Sequence, residues 1–214
     1  MLKYKIIPVT HYQQNCTLIW CDKSNKAALI DPGGDVEKLL AAVESQGVEL
    51  EKIILTHGHM DHVGGTAELI EHLSLPVEGP HIEDMFWINM LDRQAEMMGF
   101  APVKNFTPER FLEQGDKVRV GDEILNVRFT PGHTPGHIVF YHADSRTVWV
   151  GDVLFQGAVG RTDFPRGDFD VLAASIRREL WSLPKDTTFV PGHGPLGRIG
   201  KEMESNPFVS GIAG

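Results

Sequence analysis

Apolar and polar residues alternate from the first positions of the chain. KYKIIPV, CTLIWC and KAALID read as three strands in succession. DPGGD then reads as a turn, with Asp35 as N-cap of a helix VEKLLAAVESQ that Gly47 stops. KIIL is a short apolar strand that runs into THGHMDH, and VGGTAELIEHL has helical spacing up to Pro76. Residues 82–98, IEDMFWINMLDRQAEMM, predict the longest amphipathic helix. From residue 117 the period returns to two: KVRV, a Gly121-Asp122 hairpin turn, EILNVRF, IVFYH and TVWVGDVLF. A helix over 169–181, a strand TFVP and a short helix near Lys201 complete the pattern. Each half runs from strands to helices, which predicts an α/β protein with helices covering a layered, mixed sheet. No Ser/Gly/Pro-rich linker divides the chain, so one domain over 1–214 is expected.

Four of the predicted strands deliver His or Asp at their carboxyl ends. THGHMDH (56–62) follows KIIL, PGHTPGH (131–137) follows EILNVRF, Gly151-Asp152 follows TVWV, and PGH (191–193) follows TFV. Scattered surface histidines would not share this placement, whereas ligands to a metal need it, because strand ends bring side chains together without strain. His57 and His59, two apart in extended chain, face one side, and Gly58 removes a side chain where backbones crowd. Asp61 and His62 open a helix with a change of direction and so address a second centre. His57, His59, Asp61, His62, His133, Asp152 and His193 make seven candidate ligands. That is too many for one tetrahedral ion and suits two divalent ions sharing a carboxylate. Imidazole and carboxylate accept zinc, iron or manganese alike, and the lack of cysteine among them argues against a closed structural zinc site.

Composition removes several alternatives. A net charge of −9, with no basic run longer than Arg177-Arg178, argues against nucleic acid. No stretch approaches the roughly 20 apolar residues of a membrane span. Lys3 and Lys5 precede an apolar run too short and mixed for a signal peptide, so a cytoplasmic protein is expected. Cys16 and Cys21, on opposite faces of one strand, are expected to be buried and reduced.

The run H-x-H-x-D-H, followed by a single His, Asp and His, resembles the metallo-β-lactamase superfamily, and the likeness spans the chain from LIDPGG to NPF. It implies an αββα sandwich with the metal site at one edge of the sheets. By position it implies His57, His59 and His133 on one ion, Asp61, His62 and His193 on the other, and Asp152 bridging. His59 stands where flavodiiron oxidoreductases typically carry Glu. Several β-lactamase types have cysteine in place of Asp152 or lack the bridging acid, and the processing ribonucleases are larger and carry an RNA-gripping arm. GRTDFPRGD (160–168) is similar to glyoxalase II and the persulfide dioxygenases, while PGHTPGH and PGHGP look more like the hydrolase. The resemblance therefore implies a short glyoxalase II-like hydroxyacylglutathione hydrolase, without the C-terminal helical domain of the long enzymes. Its substrate would be a small-molecule glutathione thioester, S-D-lactoylglutathione, with Asp61 and Asp152 as catalytic carboxylates. Alternatives are a mononuclear iron persulfide dioxygenase, a lactonase, and a non-catalytic metal-stabilised binding protein.

Further residues carry two readings each. Asp31, in LIDPGG, either orients a ligand histidine or serves a turn. Arg161 either binds a substrate carboxylate or lies on the surface. Met85, Trp87, Met90, Met97 and Met98 either line a groove or pack the core. His137 is expected to support the site or its packing, and His11, His72, His81 and His142 to take no part in it.

Overall fold

The computed structural model describes residues 1–210. Five strands, β1 (Leu2–Val9), β2 (Gln14–Cys21), β3 (Lys26–Ile30), β4 (Glu49–Ile54) and β5 (Val77–Glu78), form one sheet in sequential order. β1, β2 and β3 pair antiparallel, and β3, β4 and β5 pair parallel. The parallel crossovers are made by α1 (Val36–Gln46) between β3 and β4, and by α2 (Met60–Val63) with α3 (Thr66–Leu73) between β4 and β5. Two more helices follow, α4 (Met85–Ile88) and α5 (Leu91–Met98). The second sheet holds β6 (Lys117–Val120), β7 (Glu123–Phe129), β8 (Ile138–His142) and β9 (Thr147–Gly151). After the small hairpin β10 (Leu154–Phe155)–β11 (Ala158–Val159) and α6 (Phe169–Ser175), β12 (Thr188–Pro191) pairs parallel to β9. β13 (Gly197–Arg198) closes that edge, and α7 (Ile199–Ser205) follows it.

Three apolar layers hold this together. Alternate residues of the first sheet, among them Val9, Leu18, Leu29 and Ile53, pack under Leu39 of α1, Leu69 of α3 and Leu91 of α5. Their strand neighbours Ile19, Ala28, Ile30 and Ile54 face Leu125, Val127, Phe140 and Trp149 across the middle of the molecule. The far face of the second sheet, Val139, Val148 and Phe189, is covered by Leu172, Ile176 and Ile199. Period-two alternation thus gives the central strands two buried faces, while β1 and β6 each leave one face exposed. The result is the expected αββα sandwich.

Two local expectations are corrected. Residues 82–98 are not one helix: a 3₁₀ turn over Ile82–Asp84 leads to α4, and a break at Asn89–Met90 precedes α5. The break leaves the Trp87 carbonyl to accept from Gln94 Nε2 at 2.8 Å, while Gln94 Oε1 accepts from the Met60 amide at 3.0 Å. Asp35 does precede α1, but its side chain does not cap it. Its carboxylate accepts from the Thr10 amide at 2.8 Å, which ties the β1–β2 turn to the start of the helix. Helix 169–181 is present, with its second half wound as a π-helix over Ile176–Leu180. Both cysteines are buried and unpaired. No helix among the described residues is long and apolar enough to cross a membrane.

Phe140 is fully buried in the layer between the sheets. Phe140→Ala is expected to cost about 3–5 kcal/mol, read as a lower urea midpoint with an unchanged slope.

Candidate metal centre

The segments that follow β4, β7, β9 and β12 meet at one edge of the sandwich and carry all seven predicted residues, Asp61 and His62 on α2 and the rest in loops. His57, His59 and His133 place one ring nitrogen each within 4.8 Å of one another, and so do donor atoms of Asp61, His62 and His193. Asp152 lies between the two triads. Its Oδ1 is 3.3 Å from His62 Nε2, and its Oδ2 is 3.8 Å from His133 Nε2 and 3.7 Å from His193 Nε2. Asp61 Oδ2 is 3.0 Å from His193 Nε2. All but His193 are largely buried.

Hydrogen bonds behind the rings decide which nitrogen faces inward. Asp31 accepts from the Thr56 amide (2.7 Å), from Thr56 Oγ1 (2.6 Å) and from His62 Nδ1 (2.9 Å). The Thr56 hydroxyl, having given its proton to Asp31, accepts from His57 Nδ1 at 3.0 Å. His133 Nδ1 donates to the Arg161 carbonyl at 2.7 Å, and His193 Nδ1 to the Tyr12 carbonyl at 3.2 Å. Each of these four rings therefore turns its Nε2 to the centre. His59 instead turns its Nδ1 to within 3.0 Å of His133 Nε2. Asp31 is thus a positioning group as well as a turn residue at φ 52°.

Buried polar atoms normally have partners. Here the Nε2 atoms of His57 and His62 and Oδ1 of Asp152 are buried and make no hydrogen bond within the protein. Bare imidazole nitrogens and a carboxylate oxygen turned to one place are the donor set of a divalent cation, so the residues fit two metal ions. Electrostatics agrees. Burial and the neighbouring imidazoles push His57 well below the usual imidazole range, and burial does the same for His59. Burial would raise Asp152, but His62, His133 and His193 hold it below the ordinary carboxylate range. Burial also opposes charge on His62, yet Asp152, Asp61 and Asp31 raise it well above 6.5. The same negative field that favours a proton on His62 favours a cation in its place.

Two glycines are required by contact. A Cβ on Gly192 would lie 2.1 Å from Asp152 Oδ1 and 2.5 Å from His62 Cε1, and one on Gly58 would lie 2.9 Å from Trp87 Cβ.

The remaining residues of interest separate clearly. His137 stacks on His57 with ring centroids 4.6 Å apart, and its Nε2 accepts from the Asp152 amide at 3.2 Å, so its lone pair is spent supporting the site. Trp87 packs edge-on against His59 at 4.5 Å, whereas Met97 is exposed and Met85 and Met98 pack on the helix-side core. His142 bonds Glu123 and Ser145, and His81 stacks on Phe129. His11 stacks on Phe100, and the side chain of His72 is exposed on α3. Arg161 is exposed and forked on Asp163 (3.0 and 2.8 Å), with its guanidinium 4.5 Å from the Phe164 ring. That ring borders His59 at 5.1 Å and His133 at 5.9 Å. Two buried supports carry no motif in the sequence. Gln94 holds the Met60 amide, and Asp84 accepts from the Gly58 amide in one histidine loop and from the Thr134 hydroxyl and Gly136 amide in the other. Burial lifts Asp84 to about 6 against these donors. Only their position on a predicted amphipathic helix beside apolar neighbours hinted at burial.

Known proteins are similar to this chain in sequence and fold. The pattern of the metallo-beta-lactamase superfamily matches residues 9–193. The chain is 43% identical over 210 residues to hydroxyacylglutathione hydrolase GloC of Haemophilus influenzae, covering 98% of this chain and 99% of that protein. Among solved structures it is similar to BLEG-1 B3 metallo-beta-lactamase, with a TM-score of 0.89, 34% identity, and coverage of 98% of this chain and 100% of that one. It is also similar to TTHA1623 in a di-iron-bound form, with a TM-score of 0.87, 41% identity, and coverage of 95% and 99%. With the family's pattern matched over residues 9–193 and a relative 43% identical over almost its whole length, the chain belongs to the metallo-beta-lactamase superfamily of metal-dependent hydrolases.

Proposed function

We propose that the chain is a binuclear hydrolase of glutathione thioesters, converting S-D-lactoylglutathione to D-lactate and glutathione. The observation that carries this reading is the pair of triads facing one carboxylate, in a chain similar end to end to a hydroxyacylglutathione hydrolase. The reading takes residues 1–214 as one domain, because loops from both sheets build the site. His57, His59 and His133 would hold one ion, Asp61, His62 and His193 the other, and Asp152 would serve both. Zinc suits the donors, and iron or manganese would be accepted by the same set. Two bound divalent cations would supply a nucleophilic hydroxide near neutral pH and polarise the thioester carbonyl.

The chain's own residues do the rest. Asp31, Thr56, the Arg161 carbonyl and the Tyr12 carbonyl fix four rings in the ligating tautomer. Asp61 and Asp152, both held below the ordinary carboxylate range, stay ionised and hold negative charge at the centre. Trp87 and Phe164 keep water from the His59 side. A thiolate whose parent thiol has a pKa of about 8.5 leaves without a strong general acid. Arg161, at the rim of this wall, exchanges Asp163 for a glutathione carboxylate.

Elemental analysis of the purified protein is expected to give two ions per chain, and Asp152→Ala to lose both with nearly all turnover. A single iron in the wild type would favour the dioxygenase chemistry instead. Incubation with S-D-lactoylglutathione is expected to release thiol with no signal at an oxygen electrode. Oxygen uptake on glutathione persulfide, or opening of a β-lactam, with no thioester turnover would overturn the reading. Arg161→Ala is expected to raise KM about tenfold with kcat little changed, the lower end for a charge-assisted contact at an exposed site. An unchanged KM at full metal content would remove Arg161 from the substrate site.

A further inference from the structure

One buried carboxylate beside the metal centre ligates nothing and yet touches both loops that form one triad. Asp84 ends the 3₁₀ turn after β5 and is fully buried. Its Oδ2 accepts from the Gly58 amide at 2.8 Å and from Thr134 Oγ1 at 2.7 Å, and its Oδ1 accepts from the Gly136 amide at 2.5 Å. Gly58 is the residue between His57 and His59, and Thr134 directly follows His133. Asp84 makes no hydrogen bond to the loops of Asp152 or His193.

We infer that Asp84 is a positioning residue that sets the separation of the two half-sites of the His57/His59/His133 triad, pinning the loop after β4 to the loop after β7. The inference rests on the metal reading given above. Three donors converge on one carboxylate from two chain segments 76 residues apart at Gly58 and Thr134. An ionised carboxylate has acceptor capacity for all three, and an amide does not. In Asp84→Asn the oxygen can serve Gly58 and Thr134, but the new NH₂ then meets the Gly136 N–H, donor against donor. The shape of the side chain is kept, so the damage falls on the spacing of the loops. Supports of this kind typically change metal affinity ten- to a hundredfold when removed.

The test is a chelator-competition titration of the apoprotein with Zn²⁺, following both binding steps. Wild type is expected to show two steps, and His193→Ala identifies the step that belongs to the Asp61/His62/His193 set. Asp84→Asn is expected to weaken the other step ten- to a hundredfold and to leave the His193-dependent step within about threefold. Thr134→Val, which removes one of the three bonds and keeps the carboxylate, is expected to weaken the same step less. Equal weakening of both steps, or neither, in Asp84→Asn would overturn the inference. If Asp84→Asn does not fold, an unshifted triad step in Thr134→Val overturns it as well. A wild type that binds no Zn²⁺ would instead sink the metal reading itself.

Discussion

The molecule is organised around holding five imidazoles and two carboxylates largely out of water in one place. Burying such groups is costly unless each polar atom has a partner or a counter-charge. The structure meets this by giving four of the imidazoles a fixed acceptor on the outer nitrogen, so that the inner nitrogen is turned to the centre. Asp31 is the centre of that arrangement, because its two oxygens fix Thr56, and through it His57, as well as His62. A carboxylate that touches no neighbour in the opposite triad still governs one ring from each.

The sandwich provides the rigidity. β9 and β12 are packed on both faces, and β12 is stitched into the second sheet by parallel pairing with β9, so that Asp152 and His193 leave adjacent strands. The ladder shifts register between Val190 and Pro191, which brings Pro191 opposite Gly151 just before both ligands. Close approach then leaves no room for a side chain at Gly192. The first sheet reaches the same centre through the β1–β2 turn, where Gln14 bridges to His193 and Tyr12 gives it a carbonyl.

Much of this was legible in the sequence because two periodicities suffice to place it. Period two marks the strands, and His or Asp immediately beyond their ends marks the edge where they converge. A layered α/β fold and the meeting of the seven residues follow from that reading, while the αββα order came from the resemblance to the superfamily. What escaped depends on single side chains acting at a distance in the chain. The helix expected over 82–98 is interrupted at Asn89–Met90, where the Trp87 carbonyl accepts from the Met90 amide and from Gln94 Nε2, the latter a contact that no local pattern encodes. Asp35 has the composition of an N-cap but spends its carboxylate on Thr10, twenty-five residues earlier. Asp84 looked like an ordinary polar position of an amphipathic segment, and its donors lie on loops far from it in sequence.

The spread of the site along the chain also shapes how the protein comes to be made. Its donors run from residue 57 to residue 193, and the last of them hangs on a turn that includes Tyr12. Pairings of such separation carry a large loop-closure entropy and form late. On a ribosome, the first sheet can pair β1 through β5 while the rest of the chain is still being synthesised. The His57/His59 pair would then be exposed, with too few partners to retain an ion. The full constellation exists only after β12 has inserted beside β9, so cation capture is coupled to the final long-range step of folding rather than to its nucleus.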